Sequence, residues 1–215
     1  MKYPKIHSPF KRDSKGRFLE EYSIPEFKML EDMEWVWTEK IDGTNIRVIW
    51  DSDAKTVEFR GRTDRAQIPE HLLKRLGQLF SVEKFEEMYP DTSMIIYGEG
   101  YGKKIQKSGD LYAKSISNPL GVDFIAFDVM IKNVWLELDS AMRICSNLEV
   151  RFVPIFGYGT IKEAIKEVKK GIVSILATRD NKFPMEGFVM KPSVTILRKN
   201  GDRIITKLKH KDFER

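Results

Sequence analysis

Lys40 closes an apolar run, "WVWTEKIDGTN" over residues 35–45, where solvation gives a chain rich in surface lysines no reason to place one. A free lysine has a pKa of about 10.4 and is a poor nucleophile at neutral pH, but partial burial and neighbouring cations free the amine to attack. Lys207 and Lys209 supply candidate cations, alternating with Ile205 and Leu208 in "IITKLK". The same two ammonium groups could neutralise the charge that builds on a phosphate oxygen during in-line displacement. Glu99 after "MIIYG", Asp128 inside "FIAFDVMI" and Glu186 at the head of "EGFVMK" are hard oxygen ligands suited to Mg²⁺. Taken singly, each is an ordinary exposed charge on a half-buried strand. Taken together they are not, because Lys40 and Asp128 sit in stretches so apolar that an unpaired charge there is costly. The chemistry this set supports is phosphorylation of a lysine nitrogen by a nucleotide.

More familiar phosphate and metal signatures are missing. The chain contains no G-x-x-x-x-G-K-[ST] loop, and "GEGYG" at 98–102 lacks the strand-to-helix context of a dinucleotide fingerprint. No H-E-x-x-H occurs, and His7, His71 and His210 are scattered, so imidazole-based zinc chemistry has little support. A single cysteine, Cys145, forms no internal disulfide and points to a reducing compartment, the cytoplasm by default.

The elements that must position these residues are mainly strands. Short β-branched and aromatic runs bounded by turn residues begin at Trp35: "WVWTEKI", "NIRVIWD", "TVEFRGR", "MIIYGEG", "DFIAFDVMI", "EGFVMK" and "RIITKLK". Lys132-Asn133 and Asn200-Gly201 separate neighbouring runs as hairpin turns would. Apolar spacing predicts a helix over 160–180, opened by a capping box of Thr160 and Glu163, with Ile161, Ala164, Ile165, Val168, Ile172, Ile175 and Leu176 on one face. A second helical pattern covers 68–90, with Pro69 in its first turn. The fold class expected is α+β, with antiparallel β-sheets and packed helices.

At 215 residues and a net charge of +5, with a pI near 9.1, the chain has room for one sizeable domain and tolerates an anionic partner. Residues 1–22 are polar and basic, with Lys2, Lys5, Lys11, Arg12, Lys15 and Arg17, and read as an arm laid over the surface or disordered until something binds it. Residues 23–215 read as one catalytic domain with no separate C-terminal domain. No apolar run approaches the roughly 20 residues that span a bilayer.

In chain order, "EKIDGTN", "GRT", "YGEGYGKKIQK", "DFIAFDV", "MEGFVMKP" and "LRKNGDRIITKLKHKDF" resemble the motifs of the covalent nucleotidyltransferase superfamily, which share a K-x-D-G nucleophile. Within it the chain is similar to RNA ligases of the phage RNA ligase 2 type. The resemblance implies a nucleotidyltransferase domain of the ATP-grasp-like ligase adenylation kind, using ATP and Mg²⁺ and passing through a lysyl-AMP intermediate at Lys40. It implies that Glu39 contacts the adenine edge, that Asp42 and Gly43 shape the nucleophile turn, and that Phe127 stacks on adenine. It further implies that Ile41 lines the nucleotide, Asn45 orients the leaving pyrophosphate and Arg62 contacts a phosphate, with Arg60 and Arg65 as rivals. Glu99 would take the ribose hydroxyl or a metal, Asp128 and Glu186 the metal, and Lys207 and Lys209 the α-phosphate, with Lys191 a weaker candidate. The implied partner is RNA with 5′-phosphate and 3′-hydroxyl ends, without a membrane. Only six residues follow Lys209, so the expectation is that the basic arm or a partner protein replaces the RNA-holding domain of larger relatives. The competing readings are a minimal DNA ligase, a GTP-using capping enzyme and a non-catalytic nucleic-acid-binding module.

Overall fold

Strands occupy the β-branched and aromatic runs in the computed structural model, which describes residues 1–177 and 183–213. A hairpin of β1 (Phe10–Arg12) and β2 (Phe18–Tyr22) is followed by α1 (Pro25–Met29), β3 (Trp35–Glu39), β4 (Thr44–Asp51) and β5 (Thr56–Gly61). Helices α2 (Glu70–Leu79) and α3 (Val82–Met88) lead to β6 (Met94–Gly102), α4 (Gly109–Ala113), β7 (Val122–Ile131), β8 (Val134–Trp135) and α5 (Leu138–Asn147). The chain then runs through β9 (Ile155–Gly159), α6 (Ile161–Lys169), β10 (Gly187–Pro192) and β11 (Thr206–Lys209) to a 3₁₀ turn at His210–Asp212. The architecture is α+β, and every paired strand is antiparallel.

Two compact units share the chain. The first comprises Met1–Tyr3 with Asp42–Val153, and the second Pro4–Ile41 with Pro154–Arg215. The boundary in sequence therefore falls inside "KIDG". Within the basic N-terminal segment, Phe10–Tyr22 forms a hairpin of the second unit, in which Phe10 packs on Phe18 and Tyr22 with ring centroids 4.9–5.8 Å apart and Phe18 reaches Phe213.

The first unit is a five-stranded sheet, β5-β4-β6-β7-β8. One face carries Ile46, Val48, Trp50, Ile96, Phe124, Ala126 and Val129 into a core closed by Leu72 and Leu76 of α2, Phe85 of α3 and Cys145 of α5. The opposite face carries Asn45, Arg47, Tyr97 and Glu99 by strand alternation. A bulge in β7 extends this polar face. Tyr97 pairs with Asp128 and Gly98 with Ala126, so Phe127 is the extra residue and Asp128 is turned onto the side of Tyr97.

The second unit is a four-stranded sheet, β11-β10-β3-β9, whose Trp35, Trp37, Phe188 and Leu208 pack against Ile161, Ala164 and Val168 of α6. Thr38, Val189, Lys207 and Lys209 lie on the other face by the same alternation.

Two helical expectations need correction. Residues 68–90 form two helices, because Phe80 leaves the helical conformation to pack on Phe85 and Phe124, and Ser81 restarts the chain by capping Lys84. The capping box of Thr160 and Glu163 does start α6, but the helix stops at Lys169. Gly171 takes φ +73°, and the chain turns so that Val173 bridges Pro184; Ile172, Ile175 and Leu176 are not helical, and 178–180 lie outside the described residues. The turns fare better. Lys132 and Asn133 both take positive φ, as a two-residue hairpin demands. Gly201 (φ +83°) closes the other turn, flanked by the single bridge Leu197–Arg203, and strand β11 starts only at Thr206.

Candidate active site

In the second unit, Lys40 leaves β3 with its amide donating to the Gly187 carbonyl at 2.9 Å, and Gly187 pairs on its other side with Lys209. Glycine is required there: φ is +148°, and a Cβ would lie 2.0 Å from the Leu208 carbonyl oxygen. With no side chain between them, the two lysines converge on one carboxylate. Lys40 Nζ donates to Glu186 Oε2 at 2.6 Å and Lys209 Nζ to Glu186 Oε1 at 2.6 Å. All three side chains are about one-fifth exposed, dry enough for the charges to matter to one another and open enough for a ligand to reach them. Lys207 shares this face two residues upstream, its amide held by the His7 carbonyl at 3.1 Å. Lys191 is on the same face, opposite Val36.

Glu39 is directed elsewhere. Its buried carboxylate accepts hydrogen bonds from the Ser174 hydroxyl and from the amides of Ile175 (2.9 Å) and Leu176 (3.2 Å). The carboxylate thus holds a turn of its own chain. Ile41 is buried at 4% exposure.

In the first unit, Asn45 and Glu99 sit directly opposite each other on β4 and β6. Among the described residues, the buried Asn45 Oδ1 has no hydrogen-bond partner, an acceptor in want of a donor or a cation. Gly43 lets the start of β4 approach closely: a Cβ there would fall 2.3 Å from the Gly100 carbonyl oxygen. The Asp42 amide donates to the Tyr112 hydroxyl at 3.4 Å. Asp128, 2% exposed, accepts a hydrogen bond from the Tyr3 hydroxyl, and the Tyr3 ring meets Phe127 edge-on at 4.9 Å. A tyrosine thus holds the carboxylate for which a metal role is implied. Arg62 is exposed just beyond β5, in a loop that Arg47 pins by donating to the Gly61 carbonyl (2.9 Å) and to Asp64 (2.7 Å). That guanidinium holds the Asp64 carboxyl below its ordinary range. Of the rivals, Arg60 is bonded to Glu58 and Arg65 is exposed.

Among the described residues, no group of three or more His, Cys, Asp or Glu side chains is placed to hold a metal. Mg²⁺ characteristically takes one or two carboxylates and completes its shell with water and substrate phosphate. The oxygen donors Glu99 and Asn45 fit that pattern. Arg47, Tyr3 and the Ser174–Leu176 turn are the supporting residues that sequence reasoning missed; Arg47, a charge in an apolar strand like Asp128, carried the only signal.

A model of the RNA ligase family matches residues 33–209. The fold resembles that of a Naegleria gruberi RNA ligase variant in its apo form, with a TM-score of 0.65 and 18% identity over 98% of this chain and 58% of that one. An archaeal ATP-dependent RNA ligase gives a TM-score of 0.60 and 20% identity over 99% of this chain and 49% of that one. A Naegleria gruberi RNA ligase variant with ATP and Mn gives 0.62 and 20%, over 98% and 64%. The chain spans about half to two-thirds of the length of these structures.

Proposed function

We propose, for a chain that belongs to the RNA ligase family, that it is the nucleotidyl-transferring part of an ATP-dependent RNA ligase and that Lys40 is its nucleophile. The observation that carries this reading is the pair of ammonium groups, Lys40 and Lys209, gathered on the Glu186 carboxylate. Lys40 Nζ attacks the α-phosphorus of ATP; the N–P bond forms and the P–O bond to pyrophosphate breaks, leaving lysyl-AMP. The attacking amine must first give up a proton, and Glu186 Oε2 is the acceptor already bonded to it. Lys209 and Lys207 then face a phosphate whose negative charge rises in the transition state, which favours them most when it is needed. AMP next passes to the 5′-phosphate of an RNA end, and attack by a 3′-hydroxyl joins the ends and expels AMP. A divalent cation, when bound, would neutralise phosphate charge, and Glu99 with Asn45 would hold it. Phe127 and Arg62 keep their proposed parts in adenine stacking and phosphate contact. Glu39 keeps its proposed adenine contact and also fixes the Ser174–Leu176 turn against the nucleophile strand.

The test is transfer of label. Incubation with ATP labelled at the α-phosphate and Mg²⁺ is expected to leave label on the denatured protein, pyrophosphate to return it as ATP, and nicked RNA with a 5′-phosphate to take it as RNA-adenylate. A protein that takes no label, and releases no ATP when pyrophosphate is added to the preparation as isolated, overturns the reading.

A further inference from the structure

The second unit contains a cleft of about 1000 Å³ walled by the β1–β2 hairpin, by α6 and by the 3₁₀ turn after β11. Seven basic side chains line it against three carboxylates. The acids are largely committed: Asp212 pairs with Arg12 at 2.8 Å, and Glu31 is shared by Lys28 and Lys162. Among the described residues Lys15 and Lys211 make no ion pair, and the Lys169 ammonium lies over the Phe213 ring, 5.3 Å from its centroid. Half-buried rings of Phe10, Phe18 and Phe213 contribute to the wall, with the Arg12 guanidinium 4.2 Å above Phe18.

Cations that outnumber their partners, set among aromatic faces in a concave surface, are what a single nucleic-acid strand requires: the charges track phosphates and the rings receive bases. We propose that this hairpin cleft binds a single-stranded segment of RNA; the choice of RNA rests on the RNA ligase reading. The aromatic packing of Phe10, Phe18 and Tyr22 that orders the hairpin is also what brings Lys15 and Arg17 to the cleft.

The experiment measures fluorescence anisotropy of a labelled, 5′-phosphorylated RNA of about 12 nucleotides, a length within the usual site size for such grooves. It uses the full chain and a Lys15→Glu/Lys169→Glu double variant. Both lysines are on the surface, and circular dichroism melting checks that the variant folds. The variant is expected to bind at least about tenfold more weakly, and its plot of log affinity against log salt to flatten by roughly 1.4, at about 0.7 per lost phosphate contact. Lysyl-AMP formation is expected to be unchanged. Equal affinity and equal salt slope in parent and variant overturn the proposal, as does a parent that binds no RNA. A parent that binds RNA through these lysines yet never takes AMP upholds the cleft and overturns the ligase reading instead.

Discussion

Glu186 is the residue on which the chemistry turns, since two ammonium groups share its carboxylate at 2.6 Å each. Removing the charge while keeping the shape, in Glu186→Gln, takes away both the anchor and the proton acceptor. Lysine adenylylation is expected to slow by about 100-fold or more, with the fold intact by circular dichroism. A rate within a few-fold of the parent would assign Glu186 to packing alone. Gly187 is the second critical residue, because a Cβ would strike the Leu208 carbonyl and the backbone sits at φ +148°. Gly187→Ala is expected to cost about 1–3 kcal/mol in denaturant unfolding. Lys40 and Glu186 were legible because each adjoins an apolar run at the end of a strand, and Lys209 because it alternates with Leu208. Tyr3 and Ser174 were not: they act on Asp128 and Glu39 from 125 and 135 residues away, and nothing local marks them.

Elements behave as their local chemistry dictates except where a side chain is drawn into a core. The capping box of α6 was readable because Thr160 and Glu163 stand three apart, whereas the end of that helix was not, because the apolar spacing continues past Gly171 into residues that pack without being helical. Glu31, which follows α1, ties that segment to β2 and α6: Lys28, Tyr22 (2.9 Å) and Lys162 (3.2 Å) all reach its carboxyl. Hydrogen bonding from Lys28 foremost, then from Tyr22 and Lys162, lowers the Glu31 carboxyl from 4.5 to about 2. A carboxyl lowered by folding stabilises the folded chain above its unfolded value and loses that contribution as protons bind. The Glu31 contribution should therefore be whole above about pH 4.5 and gone near pH 2. Thermal unfolding of Glu31→Gln is expected to lie below the parent at neutral pH and to converge with it in acid. A constant gap from pH 7 down to about pH 3 would show that the ion pairs contribute nothing.

For the molecule as a whole, the α+β class and the places of most strands along the chain were evident in the sequence because antiparallel sheets with one face on a core alternate visibly. The division into two units was not, since the second is assembled from residues before 42 and after 153, and the switch falls within the nucleophile motif itself. Of the two readings left open for the basic arm, the charge pattern gave no means to choose; Phe10, Phe18 and Tyr22, spaced through it, are what pack its hairpin. The central claim is that Lys40 becomes covalently nucleotidylated, and it is tested most directly by intact-protein mass spectrometry after incubation with ATP and Mg²⁺, with Lys40→Ala alongside. One added AMP on the parent, removed by pyrophosphate and absent from the variant, is the predicted result. The same adduct on Lys40→Ala, or none on a parent first stripped with pyrophosphate and then given ATP, would contradict it.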